Sequence, residues 1–306
     1  MWTWYVLISN KLYIMRNFLI LVFSSFVMAA IMSAAFTKQS AEPLTPECYT
    51  SCFISDVREY SKMEARTMDF AMLHDEPLPF ELEDKKGKMI DFKTPDGNKA
   101  MAYEIKGKKK SKNYLLVIQE WWGLNDYIKQ ESDKLAGDLD DVTILALDMY
   151  DGKVATTRDS AMKYMSGVNN ERLENIIKGA IAYAGKDAKI FTIGWCFGGM
   201  WSLQAGIIAG NQGAGTIMYY GRPETNLEKL QKLQTDVIGF FGNKDRSPSP
   251  EMVDAFIENM KKVDKKLTVH RYDAGHGFAN PSNPNFDKEA TKDSYEKTLA
   301  FIKARL

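Results

Sequence analysis

A thiol, an imidazole and a carboxylate acting together can open a carbonyl, and this chain carries candidates for all three at Cys196, His276 and Asp245. Cys196 lies in Gly194-Trp195-Cys196-Phe197-Gly198-Gly199, a G-x-nucleophile-x-G pattern with cysteine where serine is commoner. A cysteine attacks as its thiolate, so it needs a base, and the base needs a carboxylate to orient it. Taken alone, the hexapeptide describes a Gly-rich turn beside an inert buried cysteine equally well, because both are common. The residues downstream tip the balance.

The elements around these residues are those a nucleophile elbow requires. Lys189 to Ile193 reads as a buried strand and Met200 to Ala205 as a helix, leaving a sharp turn that forces positive φ on its central residue. Glycine at 194 and 198 relieves the crowding two positions to either side. Further on, the strand-like run Val237 to Phe241 leads into a loop holding Asp245, and Leu267 to Tyr272 leads into Asp273-Ala274-Gly275-His276-Gly277-Phe278. Acid and base thus each follow a strand, in the order nucleophile, acid, histidine. The chain has three histidines. His270 falls inside a strand pattern and reads as a strand-face residue, while His74, beside Asp75-Glu76-Pro77, reads as part of a solvated loop. His276, between two glycines, has room to swing toward a ligand; its other reading is a loop histidine bonded locally. Asn243-Lys244-Asp245 is similar to a guanine-reading motif, but no G-x-x-x-x-G-K-[ST] loop occurs in the sequence.

These residues together resemble the dienelactone hydrolase family of the α/β-hydrolase superfamily, from about Tyr103 to Leu306. The resemblance rests on Gln119-Glu120-Trp121-Trp122-Gly123-Leu124-Asn125, the Cys196 hexapeptide, the Asp245 loop and Ala274-Gly275-His276-Gly277-Phe278-Ala279. It implies hydrolysis of an ester- or lactone-type carbonyl by a Cys196-His276-Asp245 triad, on a small-molecule substrate and with no metal or organic cofactor. It further implies that Glu120 contacts the resting cysteine and takes the thiol proton when substrate disturbs the contact; a surface carboxylate at a strand end is the alternative. Backbone N–H groups of Trp121 and Phe197 would hold the oxyanion. Tyr219-Tyr220-Gly221 is similar to a pocket-lining segment, and either hydroxyl could touch substrate. Two arginines that bind a substrate carboxylate in the family's best-known members have no counterpart here: one position is Asn280, and Tyr150-Asp151 is followed by Gly152 and Lys153. Lys153 or Arg158 are the candidate substitutes, although neither supplies the same planar contact by default.

The remaining chain sets the context. Strand-like and helix-like runs alternate from Tyr114 onward, which implies an α/β fold with a mostly parallel sheet and helices on both faces. Pro95-Asp96-Gly97 marks a hairpin between flanking strand-like runs. Forty basic residues balance forty acidic ones, so no net field recruits nucleic acid. Residues 1–36 read as a secretory signal with an upstream extension, 1–14; the apolar stretch 18–36 is alternatively an uncleaved anchor, the sole membrane link expected. Export to the periplasm or exterior follows from either reading. Residues 37–90 form a helical extension with Cys48 and Cys52 one turn apart, and 91–306 the hydrolase-like domain. Thioesterase or peptidase chemistry on the same triad, or a binding protein that keeps the scaffold, are the rival functions.

Overall fold

The computed structural model describes residues 74–108 and 111–306. The expected signal or anchor, the Cys48–Cys52 pair and the part of the 37–90 extension before residue 74 lie outside the described residues.

The alternation read from the sequence is realised as one eight-stranded sheet. Its strands are β1 (Lys88–Lys93), β2 (Lys99–Ile105), β3 (Asn113–Ile118), β4 (Val142–Leu147), β5 (Lys189–Trp195), β6 (Gly213–Tyr219), β7 (Val237–Gly242) and β8 (Leu267–Tyr272). They lie in the order β1-β2-β4-β3-β5-β6-β7-β8. The first two pair antiparallel through the Pro95-Asp96-Gly97 turn, with Lys93 opposite Lys99, and β2 pairs antiparallel with β4; all other pairings are parallel. Strands β4 and β7 are buried along their whole length. Continuous apolar runs of this kind are what a parallel strand covered by helices on both faces requires.

Among the described residues, seven α-helices connect and cover these strands: α1 (Asp126–Asp138), α2 (Arg158–Gly167), α3 (Asn170–Ala184), α4 (Phe197–Ala209), α5 (Leu227–Gln231), α6 (Pro250–Lys262) and α7 (Lys288–Lys303). Their starts follow side-chain capping. Asn125 accepts from the Ile128 amide, Asn169 from that of Glu171, Ser249 from that of Met252 ahead of a first-turn proline, and Asp287 from those of Glu289 and Ala290. Helix α4 is the exception, because Cys196 occupies its cap position without a side-chain cap bond. It is apolar on nearly every side and is packed on β5 and β6, as a helix with no solvent face must be. Parallel strands β5, β7 and β8 all end on one edge of the sheet, so the loops holding residues 196, 245 and 276 open together. Among the described residues no helix is long and apolar enough to cross a membrane.

Candidate active site

Strand β5 ends at Trp195 and α4 begins at Phe197, so Cys196 alone makes the turn. Its φ of 55° lies in the left-handed region, an unfavourable place for a residue with a Cβ. The flanking glycines make the turn possible. A Cβ on Gly194 would stand 2.1 Å from the Gly198 carbonyl oxygen, and one on Gly198 would stand 2.2 Å from that of Ile118. The Cys196 amide donates to the Tyr219 carbonyl at 3.0 Å, and its own carbonyl accepts from the Met200 amide at 3.1 Å. The turn is therefore tied to both the neighbouring strand and the first turn of α4. The Phe197 amide bonds the sulfur, and the amino end of the helix adds positive potential there.

Asp245 lies just past β7. Its Oδ1 accepts from the Ser247 amide at 2.8 Å, and its Oδ2 stands 2.8 Å from Nδ1 of His276. An aspartate holding Nδ1–H leaves Nε2 as the basic nitrogen, and the imidazole interacts with the Cys196 sulfur. Burial opposes a charged imidazole, but the Asp245 carboxylate and the sulfur outweigh it and hold His276 well above its ordinary pKa. Burial likewise pushes the Cys196 thiol up, although His276 pulls it down. Burial and the Glu120 charge thus favour the protonated thiol, while the Asp245 carboxylate favours transfer of its proton to His276.

Glu120 follows β3, and both its oxygens are engaged. Tyr220 donates its hydroxyl to Oε1 at 3.2 Å and Asn280 donates Nδ2 to Oε2 at 2.5 Å. It faces Cys196 through its charge, which opposes thiolate formation. Burial pushes its own carboxyl up to about 7, with His276, Tyr220 and Asn280 pulling the other way. The two tyrosines have divided roles: Tyr219 turns its hydroxyl to Thr298 at 2.7 Å, while Tyr220 serves Glu120 and packs its ring 5.1 Å from that of His276. The asparagine standing where the resemblance would put an arginine thus holds the glutamate. Arg158 is committed elsewhere: its Nε donates to the His74 carbonyl at 2.6 Å and its guanidinium pairs with Asp75. Lys153 is exposed, 5.8 Å from the Tyr164 ring.

The structure overturns the reading of His74. It is not a solvated loop residue; it is 2 % exposed, and its Nε2 lies 3.3 Å from the Cys196 sulfur. Its ring packs 4.6 Å from fully buried Trp121 and 4.8 Å from His276. No motif surrounds it in the sequence, where Pro77 and Pro79 announce only an irregular segment. Its position comes from contacts made far along the chain. His270, by contrast, sits on β8 against the Phe240 ring, as a strand-face residue should. Nitrogen atoms of His74 and His276 and the Cys196 sulfur lie within 4.8 Å of one another, a donor set suited to a soft divalent cation.

A cleft of about 60 Å³ lies against Glu120 and Tyr220, beside this cluster, and neither Cys196 nor His276 is among its lining residues. Trp122, Tyr127, Trp195, Tyr220, Glu120 and Glu131 are among its lining residues, and none of the described residues lining it is Lys, Arg or His.

Residues 100–306 match the model of the dienelactone hydrolase family. A carboxymethylenebutenolidase of Cupriavidus pinatubonensis is 25% identical over 227 residues, covering 70% of this chain and 95% of its own length. A dienelactone hydrolase-like promiscuous phosphotriesterase from metagenomic libraries superposes with a TM-score of 0.61 at 21% identity, over 72% of this chain and 99% of that one. An esterase of Pyrococcus furiosus superposes with a TM-score of 0.56 at 14% identity, over 76% and 99%.

Proposed function

Because this chain belongs to the dienelactone hydrolase family, we propose that it is a hydrolase whose nucleophile is Cys196, activated by His276 and Asp245, and that it cleaves uncharged esters or lactones. The observation that carries the reading is the Asp245-His276-Cys196 cluster at one end of the sheet, with the Asp245 carboxylate 2.8 Å from the ring nitrogen that must carry a proton.

In the proposed reaction, His276 Nε2 removes the thiol proton and the sulfur attacks the carbonyl carbon. The electron pair of the C=O bond moves onto oxygen, held by the backbone N–H groups of Phe197 and Trp121. Collapse expels the alcohol, which takes the proton from His276. A water, deprotonated by the same ring, then releases the acid and restores the thiol. Burial raises the cost of a resting thiolate, and the Glu120 charge raises it further. A substrate entering by the cleft meets Glu120 first. Breaking its bonds to Tyr220 and Asn280 removes the opposing charge from the sulfur, so attack is coupled to substrate arrival.

Two carboxylates in an aromatic cleft favour an uncharged acyl group over one bearing a carboxylate. The test is a panel of p-nitrophenyl esters, lactones, thioesters and aminoacyl amides, each as neutral and carboxylate-bearing analogues. Neutral esters should exceed their carboxylate analogues by about tenfold or more in kcat/KM, the size of one unfavourable charge contact. Cys196→Ala should abolish turnover with the fold intact. Undiminished ester hydrolysis in that variant would exclude the triad, and faster turnover of the thioesters or amides would reassign the substrate.

A further inference from the structure

The best-placed unexplained group is His74, which lies 26 positions before the first family-matched residue yet touches the sulfur. Its segment is fastened at several points. Beyond the Arg158 bond to the His74 carbonyl, the Arg158 amide donates to Glu76 at 3.1 Å. Tyr127 donates its hydroxyl to the Leu78 carbonyl at 3.1 Å and stacks its ring 4.8 Å from Phe80. The Leu82 amide then donates to Asp126 at 2.9 Å. These anchors come from the first turns of α1 and α2, so the two helix starts fix where the imidazole sits.

We propose that His74 is a catalytic residue supplied by the segment preceding the family domain, a second imidazole whose Nε2–H donates to the Cys196 sulfur once His276 has taken its proton. The inference rests on the hydrolase reading above. The proton balance is simple. The S–H bond breaks and a bond from hydrogen to His276 Nε2 forms, while neutral His74 keeps its own proton and only donates a hydrogen bond. When sulfur bonds to the acyl carbon its charge passes to the carbonyl oxygen, the His74 bond weakens, and it re-forms when the thiolate leaves. In a site this dry, a donor that meets the charge on sulfur stabilises a species burial otherwise disfavours. The Phe197 amide approaches the sulfur from the chain itself, and His74 from the segment, so the anion has two donors besides the imidazolium.

Other groups facing the sulfur are His276, Glu120 and the phenols of Tyr150 and Tyr220, all present equally in the variants used to test this. The experiment measures the pH dependence of Cys196 alkylation by iodoacetamide, together with ester turnover, in the full chain with EDTA present. His74→Ala, His74→Gln and Arg158→Ala are compared with wild type, each checked by circular dichroism and thermal melting.

If His74 donates to the thiolate, His74→Ala should move the alkylation profile to higher pH by about one unit and lower kcat about 10²-fold with a smaller effect on KM. His74→Gln, which keeps an N–H, should recover much of both. Arg158→Ala should shift both in the same direction but less. A residue that merely plugged the site would give the opposite sign: its removal would hydrate the sulfur and move the profile to lower pH. That result, or wild-type kcat in His74→Ala, overturns the proposal. Cys196→Ala and His276→Ala, run alongside, separate the two readings. If both lose activity while His74→Ala does not, the triad stands and the second imidazole falls; if both retain it, the triad reading on which the proposal rests fails.

Discussion

Cys196 occupies a conformation that its own side chain disfavours, at the amino end of a helix, with its sulfur shielded from water. Strain of about 1–3 kcal/mol at such a residue persists only where the surroundings over-determine it, as the two strand and helix bonds do here. In the proposed reaction, His276 acts as a base only with the correct tautomer. Replacing Asp245 by Asn should therefore leave the fold unchanged but lower kcat about 10³-fold or more, measured under saturating ester. Glu120 carries a prediction of a different kind. Its carboxyl titrates near 7 in the folded chain against 4.5 ordinarily, so between those values the folded state holds a proton that the unfolded state has released. Stability contributed by this group is then lost as pH rises through that window, by an amount of about 3 kcal/mol. Glu120→Gln should accordingly be more stable than wild type at pH 8 and lose that advantage toward pH 5. Denaturant midpoints at the two pH values check this.

At the scale of the element, the elbow is a contact between backbones. Gly198 lets the start of α4 lie against the end of β3, and any Cβ there would meet the Ile118 and Gln119 carbonyl oxygens at 2.2 and 2.4 Å. Both neighbours are backbone atoms at the centre of the sheet, and neither can step aside. Gly198→Ala should lower stability by about 3 kcal/mol or more, read from urea denaturation, and should depress ester turnover by misplacing the Phe197 amide. A milder effect belongs to Asn125, whose Oδ1 caps α1 through the Ile128 amide at 3.1 Å. Asn125→Ala should cost about 1 kcal/mol. Because the same helix start carries Asp126 and Tyr127, which anchor the His74 segment, fraying it should also loosen that segment.

Across the whole molecule, the sheet order explains why Cys196, Asp245 and His276 meet although they are distant along the chain. Strand β6 separates β5 from β7, and β8 follows β7, so the three loops fan along one edge with Tyr219 at the end of β6 and Tyr220 just beyond it between them. We propose export directed by residues 1–36. Expression in a host with a secretory apparatus, followed by mass measurement of the isolated chain, should give a product lacking residues 1–36. A full-length product in the membrane fraction would identify the anchor instead, and one in the cytosol would refute export.

Local chemistry made the elbow legible in the amino-acid order. Its glycines are needed by a turn of one residue, and its strand and helix are written in short-range patterns of apolar residues. The Asp245 and His276 loops could be read because each lies just past a strand, and the hairpin because Pro95-Asp96-Gly97 encodes it within a few residues. Other features depended on groups that neighbour one another only once the sheet has formed. The pairing of Asn280 with Glu120 spans 160 positions and the contact of His74 with Cys196 spans 122. No periodicity records such distances. The burial that sets the Glu120 and Cys196 protonation states exists only when helices cover both faces of the sheet and a segment crosses its edge. The order of residues thus determined which groups could react, and tertiary packing decided which of them share one dry site, because burial and charge proximity are properties of space and not of spacing along the chain.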